Sequence, residues 1–207
     1  MKRFALTAVA GVLYCTGLLA APVDQHIRGK IVSVTPDTLV VGTSSGANVS
    51  LALNAETHYL QVVRSSLDKI EPGSYIGTAT KDVGSTLVAL EVMIFPTAMQ
   101  GLNAGHFPYD RLPDTTISGA TTTTSMMTNG NVSTSASPNG VKQLTVTYEG
   151  GHQTIVVPPT APIVNLLPGT VSDLSKGAYV FVDAAQNGSS LTAGLVAAGV
   201  EGLKPPF

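Results

Sequence analysis

The sequence predicts an all-β protein, and three observations carry that expectation. Apolar and polar residues alternate at a period of two, as in Val49, Leu51 and Leu53 against Asn48, Ser50 and Ala52; this is the pattern of a half-buried strand. Turn formers punctuate the runs, with 21 Gly and 13 Pro among 207 residues. The whole pattern also occurs twice, about a hundred residues apart.

The first 21 residues stand outside it. Lys2 and Arg3 precede an uncharged apolar stretch, and Leu19, Ala20 and Ala21 lead to Pro22. A basic start, an apolar middle and a small-residue exit read as a secretory signal peptide, residues 1–21. The one Cys, Cys15, follows Tyr14 early in the apolar run. A lipoprotein signal wants a small residue there, so lipidation is not expected. Cleavage after Ala21 leaves 9 basic residues against 13 acidic ones, a net charge of −4, and no Cys. The mature chain must then hold its fold by packing and strand pairing alone, with no membrane span.

In the mature chain, Ile70, Gly73, Tyr75, Ile76, Gly84, Ser85, Leu87, Ala89 and Val92 recur as Leu174, Gly177, Tyr179, Val180, Gly188, Ser189, Leu191, Ala193 and Val196, all at an offset of 104. Leu51 and Leu53 meet Ile155 and Val157 at the same offset. Further upstream, Ile27 and Gly29 align with Ile117 and Gly119 at a smaller offset. The second copy is therefore expected to carry an insertion in the Thr/Ser-rich stretch Thr121 to Asn139, read as a loop.

Each copy reads as five strands. In the first they are residues 27–34, 38–43, 48–53, 75–80 and 86–94, with an irregular stretch to Arg64 and one helical turn at Leu67 to Ile70 between the third and fourth. In the second they are residues 117–124, 143–148, 153–157, 179–184 and 191–197, with a turn at Ser172 to Leu174. Five short strands with a helical turn in that position suggest a small OB-like Greek-key barrel. The expected organisation is a barrel over residues 22–95, an ordered connector over 96–116, and a second barrel over 117–207. The connector holds Leu102, His106, Phe107, Tyr109 and Leu112, too many large groups for a flexible linker. It is expected to lie in a groove between two barrels packed together.

The strings "IRGKIVSVTPDTLVV", "ALEVMIFP", "GLNAGHFPYDRLPDTTISGA", "YEGGHQTIVVPP" and "GLKPPF" resemble a group of exported bacterial proteins that carry an OB-like β-barrel repeat known only as a domain of unknown function. The likeness covers nearly all of the mature chain, and its most distinctive part is His106 to Pro113. It implies a Gram-negative periplasmic setting and transfers no activity.

Composition narrows the function. With 12% charged residues and more acid than base, the chain lacks the cationic surface of a nucleic-acid binder. Gly42-Thr43-Ser44-Ser45-Gly46 matches G-x-S-x-G, but it joins two strands, whereas a hydrolase elbow joins a strand to a helix. The histidines His26, His58, His106 and His152 have no metal-ligand spacing, so neither a metal nor a cofactor is expected. Met126 and Met127 read as part of an irregular loop or a strand end rather than a methionine copper site. The densest polar cluster is His106, Phe107, Tyr109, Asp110 and Arg111. It reads either as a clasp between barrels, with Asp110 and Arg111 paired, or as a ligand-binding patch, since pockets favour domain interfaces. No second acid or nucleophile accompanies it, so the sequence favours a binding or interaction module of the cell envelope over an enzyme. The expected partner is an envelope protein or a small ligand; the alternative is a carrier of a small molecule or a metal ion that uses the groove near His106.

Overall fold

In the computed structural model, residues 23–119, 121–138 and 141–207 are described. The signal segment, Cys15 and Asn139 lie outside them. The protein is all-β, and a closed five-stranded barrel is its main unit. The strands are β1 (Val23–Val34), β2 (Thr38–Thr43), β3 (Asn48–Ala52), β4 (His58–Arg64), β5 (Tyr75–Val83), β6 (Thr86–Ala89), β7 (Val92–Ile94), β8 (Gly105–Pro113), β9 (Thr122–Ala136), β10 (Lys142–Tyr148), β11 (Gly151–Val157), β12 (Ile163–Pro168), β13 (Tyr179–Asn187) and β14 (Ser190–Gly199).

These strands share one hydrogen-bonded sheet that closes on itself twice. One circuit runs β1-β2-β3-β14-β13 and back to β1; the other runs β9-β10-β11-β6-β5 and back to β9. In each, only the contact between the third and last strands, β3–β14 and β11–β6, is parallel. This corrects the expected domain organisation. Neither residues 22–95 nor residues 117–207 close a barrel alone, because each circuit takes three strands from one copy and two from the other. Local alternation sets which face of a strand is buried, but not which distant strand completes the ring.

The two circuits match closely. The cross-strand pairs Gly29–Thr43 in the first and Asn131–Thr147 in the second each belong to a hairpin whose register slips by one residue at the same place, after Ile31 and after Val132. Just before each slip the backbones approach so closely that only glycine fits. A Cβ on Gly29 would sit 2.2 Å from the Gly42 carbonyl oxygen, and one on Gly130 would sit 2.3 Å from that of Thr147. The counterpart of Gly29 is therefore Gly130, at an offset of 101. Gly119 is a turn glycine at φ 111° with open space where a Cβ would go. The inserted loop is corrected with it: Thr121 to Asn139 holds β9, a 15-residue strand. Thr and Ser serve a strand with one wet face as well as they serve a loop. Ile117, expected in a strand, is 53% exposed ahead of β9.

Each circuit has its own aliphatic core. Ile31, Leu39, Val41, Leu51, Val182 and Val196 fill the first; Ile76, Val92, Leu144, Val146 and Ile155 fill the second. The 3-10 turns travel with the exchanged strands. Ile70, after the turn Leu67–Lys69, packs in the second barrel, and Leu174, after Val171–Asp173, packs in the first.

β4 and β12, which local pattern did not separate from loops, run antiparallel between the barrels. Val62 lies opposite Leu166, its own counterpart at offset 104. The flanking pairs Tyr59–Val196 and Ile163–Val92 are equivalent at the same offset. An approximate two-fold axis therefore passes through the β4–β12 pair.

Candidate functional site

Between the barrels lies a third apolar cluster, built around Leu60, Met93, Leu112, Met127, Leu166, Phe181 and Phe207. It surrounds a cavity of about 450 Å³, within the usual range for small-molecule sites. Phe95, Phe107, Phe181 and Phe207 all line it. These are all the phenylalanines beyond residue 22. Met93, Met99 and Met127 join them, and Met127 is a buried residue within β9. A second cavity, of about 590 Å³, shares Leu60, Met99, Leu102 and Leu195 with the first.

The polar side of the first cavity comes from β1, β8 and β13. The connector proves to contain β8, which pairs with β9. Tyr109 stands opposite Ser125 and Arg111 opposite Thr124, so Asp110 is the extra residue of a β-bulge. The bulge decides what the strand presents. Phe107 and Tyr109 face inward by alternation, and the added residue shifts the phase so that Asp110 and Leu112 face inward too. Phe107, Tyr109 and Asp110 line the cavity, and Leu112 is buried beside it.

The other two members of the sequence cluster go elsewhere. His106 Nδ1 lies 2.8 Å from Thr128 Oγ1. Arg111 donates to the Thr122 carbonyl at 3.0 Å, so the expected Asp110–Arg111 pair does not form.

Asp110 instead receives two groups from β1. Its Oδ2 lies 2.7 Å from His26 Nδ1 and 2.6 Å from Arg28 Nη2. β8 is hydrogen-bonded to the second barrel and ion-paired to the first, so it does bridge them. Burial acts to raise the Asp110 pKa, but hydrogen bonds and charge from Arg28 and His26 outweigh it and hold the carboxyl below its ordinary value. Tyr109 is pushed up, first by burial.

His26 is fixed on every side. Its ring lies 5.3 Å from that of Tyr109 and 5.2 Å from that of Phe181, and its Nε2 is 3.9 Å from Asp183 Oδ1. Arg28 Nε donates to the Phe207 carbonyl at 2.9 Å, and the guanidinium sits 4.9 Å from the Phe181 centroid. The chain's last residue is thereby tied to its first strand. The chain matches no known protein family, no curated protein and no solved structure. What the site does must be argued from its own geometry.

That geometry can hold an apolar body against ring faces and thioethers while carboxylate, imidazole and phenol groups meet a polar end. His26 Nε2 can exchange a proton with a bound group, but its neighbour is a carboxylate rather than a hydroxyl or thiol. Among the described residues no three His, Cys, Asp or Glu side chains gather as metal ligands.

Sequence reasoning missed His26, which was weighed only for metal-ligand spacing, and also Asp183, Phe181 and Phe207. One signal was available: a chain with 5% aromatic residues and no Trp has few large rings to place. Their spacing along the chain gave no hint that they converge.

Glu91 is a second unusual group. It is 1% exposed; its Oε1 accepts from the Ala79 amide at 2.8 Å, and its Oε2 has no partner among the described residues. Burial pushes its pKa up to about 8.

Proposed function

We propose that this is an exported, non-catalytic binding protein of the bacterial envelope, and that its ligand is a small molecule with an apolar body held in the inter-barrel cavity. The observation that carries the reading is the convergence of Phe95, Phe107, Phe181 and Phe207 on one cavity of about 450 Å³, while both barrel interiors are filled by Val, Leu, Ile and Ala. Rings and thioethers form adaptable, polarisable walls, and few sites offer a better default location for a ligand. Export is supported by the pattern of residues 1–21. No helix among the described residues is long and apolar enough to cross a membrane.

The same proposal includes the origin of the fold. We infer two OB-like repeats that arose by duplication and exchanged their last two strands. The matched registers, the paired glycines Gly29 and Gly130, and the two-fold relation of Val62 and Leu166 support it. The resemblance to exported barrel-repeat proteins is consistent with this reading.

The test is a titration of the mature protein with N-phenyl-1-naphthylamine, a neutral apolar dye that brightens out of water. Saturable binding is expected, and it should be abolished by Leu195→Trp, which fills the space shared by both cavities without touching either barrel core. Circular dichroism and a thermal melt check that this variant folds. Absent binding, or equal binding by a folded Leu195→Trp, would overturn the reading.

A further inference from the structure

We propose that the inter-barrel cavity selects an organic cation, a protonated amine with apolar substituents. This rests on the reading of the cavity as a ligand site and adds the sign of the ligand's charge. Three independent features carry it.

The first is charge. Among the lining residues the carboxylates are Asp110 and Asp183, and no Lys or Arg lines the cavity. Arg28 offsets Asp110 from behind the wall at 2.6 Å. Asp183 lies on the other side of His26, 3.9 Å from Nε2. An anionic ligand would add negative charge beside these carboxylates in a space of reduced dielectric, where like charges repel more strongly than in water. A cation entering the same space loses hydration, which a carboxylate and ring faces can replace.

The second is the rings. The face of an aromatic ring attracts cations within about 6 Å of its centroid. Phe181 holds the Arg28 guanidinium at 4.9 Å, so one ring of this wall already binds a cation, with that face taken. Tyr109, Phe107 and Phe207 add further ring surface around the cavity.

The third is an unused acceptor. Asn129 lines the cavity and is 6% exposed. Its amide nitrogen donates to the Asn103 carbonyl at 3.1 Å, while its Oδ1 is buried with no partner among the described residues. A buried acceptor left unmatched costs stability unless a donor arrives. It packs against Gly77, where an added Cβ would come within 2.6 Å of it, so glycine there leaves room for the amide. The wall thus offers carboxylates and an amide oxygen, which suit the N–H donors of an ammonium group.

The experiment competes 4-phenylbutylamine, 4-phenylbutanol and 4-phenylbutyrate against N-phenyl-1-naphthylamine bound to the mature protein. The three probes share one hydrocarbon body and differ in charge at neutral pH. The amine should displace the dye about tenfold more tightly than the alcohol, as a desolvated cation–ring contact allows, and the carboxylate should be weakest. Asp183→Asn should bring the amine-to-alcohol ratio close to one. A second measurement needs no variant: raising salt from about 0.1 to 1 M should weaken the amine and spare the alcohol. If the alcohol or the carboxylate competes as well as the amine while the dye still binds, the charge preference is wrong and the cavity reading survives. If the dye does not bind the unmodified protein, both fall.

Discussion

The barrel interiors and the space between the barrels are packed from different materials. Inside, the clusters are aliphatic and heavily β-branched, and positions repeat across the two-fold: Leu39 with Leu144, Val41 with Val146, Leu51 with Ile155. Between them the repeat breaks down. By strand pairing, Phe181 faces Arg28 in one half where Gly77 faces Asn129 in the other, and His26 stands where the other half has Met127. Stiff side chains of fixed rotamer specify a closed ring, and both rings carry them. The intervening space does not follow that pattern and is lined by rings, thioethers and charge.

The largest test of that contrast is truncation inside the rings. Leu144→Ala and Leu39→Ala each remove a side chain with no exposure and should each cost about 2–5 kcal/mol, read from urea unfolding. The two losses should resemble each other, since the positions are equivalent. Each should lower one common transition, because both rings belong to one sheet. Two separate transitions would break the picture of coupled barrels.

The close-approach glycines come next. Gly29→Ala and Gly130→Ala place a methyl against a main-chain carbonyl that cannot retreat, and a cost of about 1–3 kcal/mol is expected at both. A large loss at one and none at the other would show that the two rings are less alike than their registers.

The smallest effect separates the inter-barrel polar groups from the rest by pH. Glu91 has a folded pKa raised from 4.5 to about 8. The stabilisation linked to its proton is complete below 4.5, declines above it and is gone once pH passes about 8. Glu91→Gln keeps an acceptor for the Ala79 amide and cannot ionise. It should flatten the fall in melting temperature between pH 5 and 9 and change little at pH 4. A variant whose pH profile runs parallel to that of the unmodified protein would show that Glu91 does not ionise in this range.

Much of the fold was legible because most strands announce themselves. β2 and β3 alternate cleanly between Gly- and Ser-rich turns, and the offset of 104 pairs positions that the structure places in equivalent registers. β4 and β12 did not stand out, for they earn their place by pairing across the two-fold axis, a contact about a hundred residues away in sequence. β9 was lost among Thr and Ser because its polar face is as polar as a loop. The glycine match failed because residue identity was aligned without its cause: Gly119 serves a turn, whereas Gly130 serves a close approach. Of the stretch from His106 to Arg111, Phe107, Tyr109 and Asp110 line the cavity, and His106 and Arg111 do not. Which of its side chains face the cavity depends on one bulged residue, and what Asp110 meets depends on β1, 84 positions earlier.

The order in which the strands are shared also bears on how the chain is made. All the strands of the second ring lie between residues 75 and 157, whereas the first ring draws on residues 23–52 and 179–199. One ring is nested in the chain and the other is split around it. During synthesis the inner ring can close as soon as residue 157 is available, while the first three strands wait with unpaired edges until almost the last residue has emerged. Long-range closure of this kind is slow, and open edges invite wrong partners. A chain built this way benefits from anything that keeps those edges from pairing until β13 and β14 have been made.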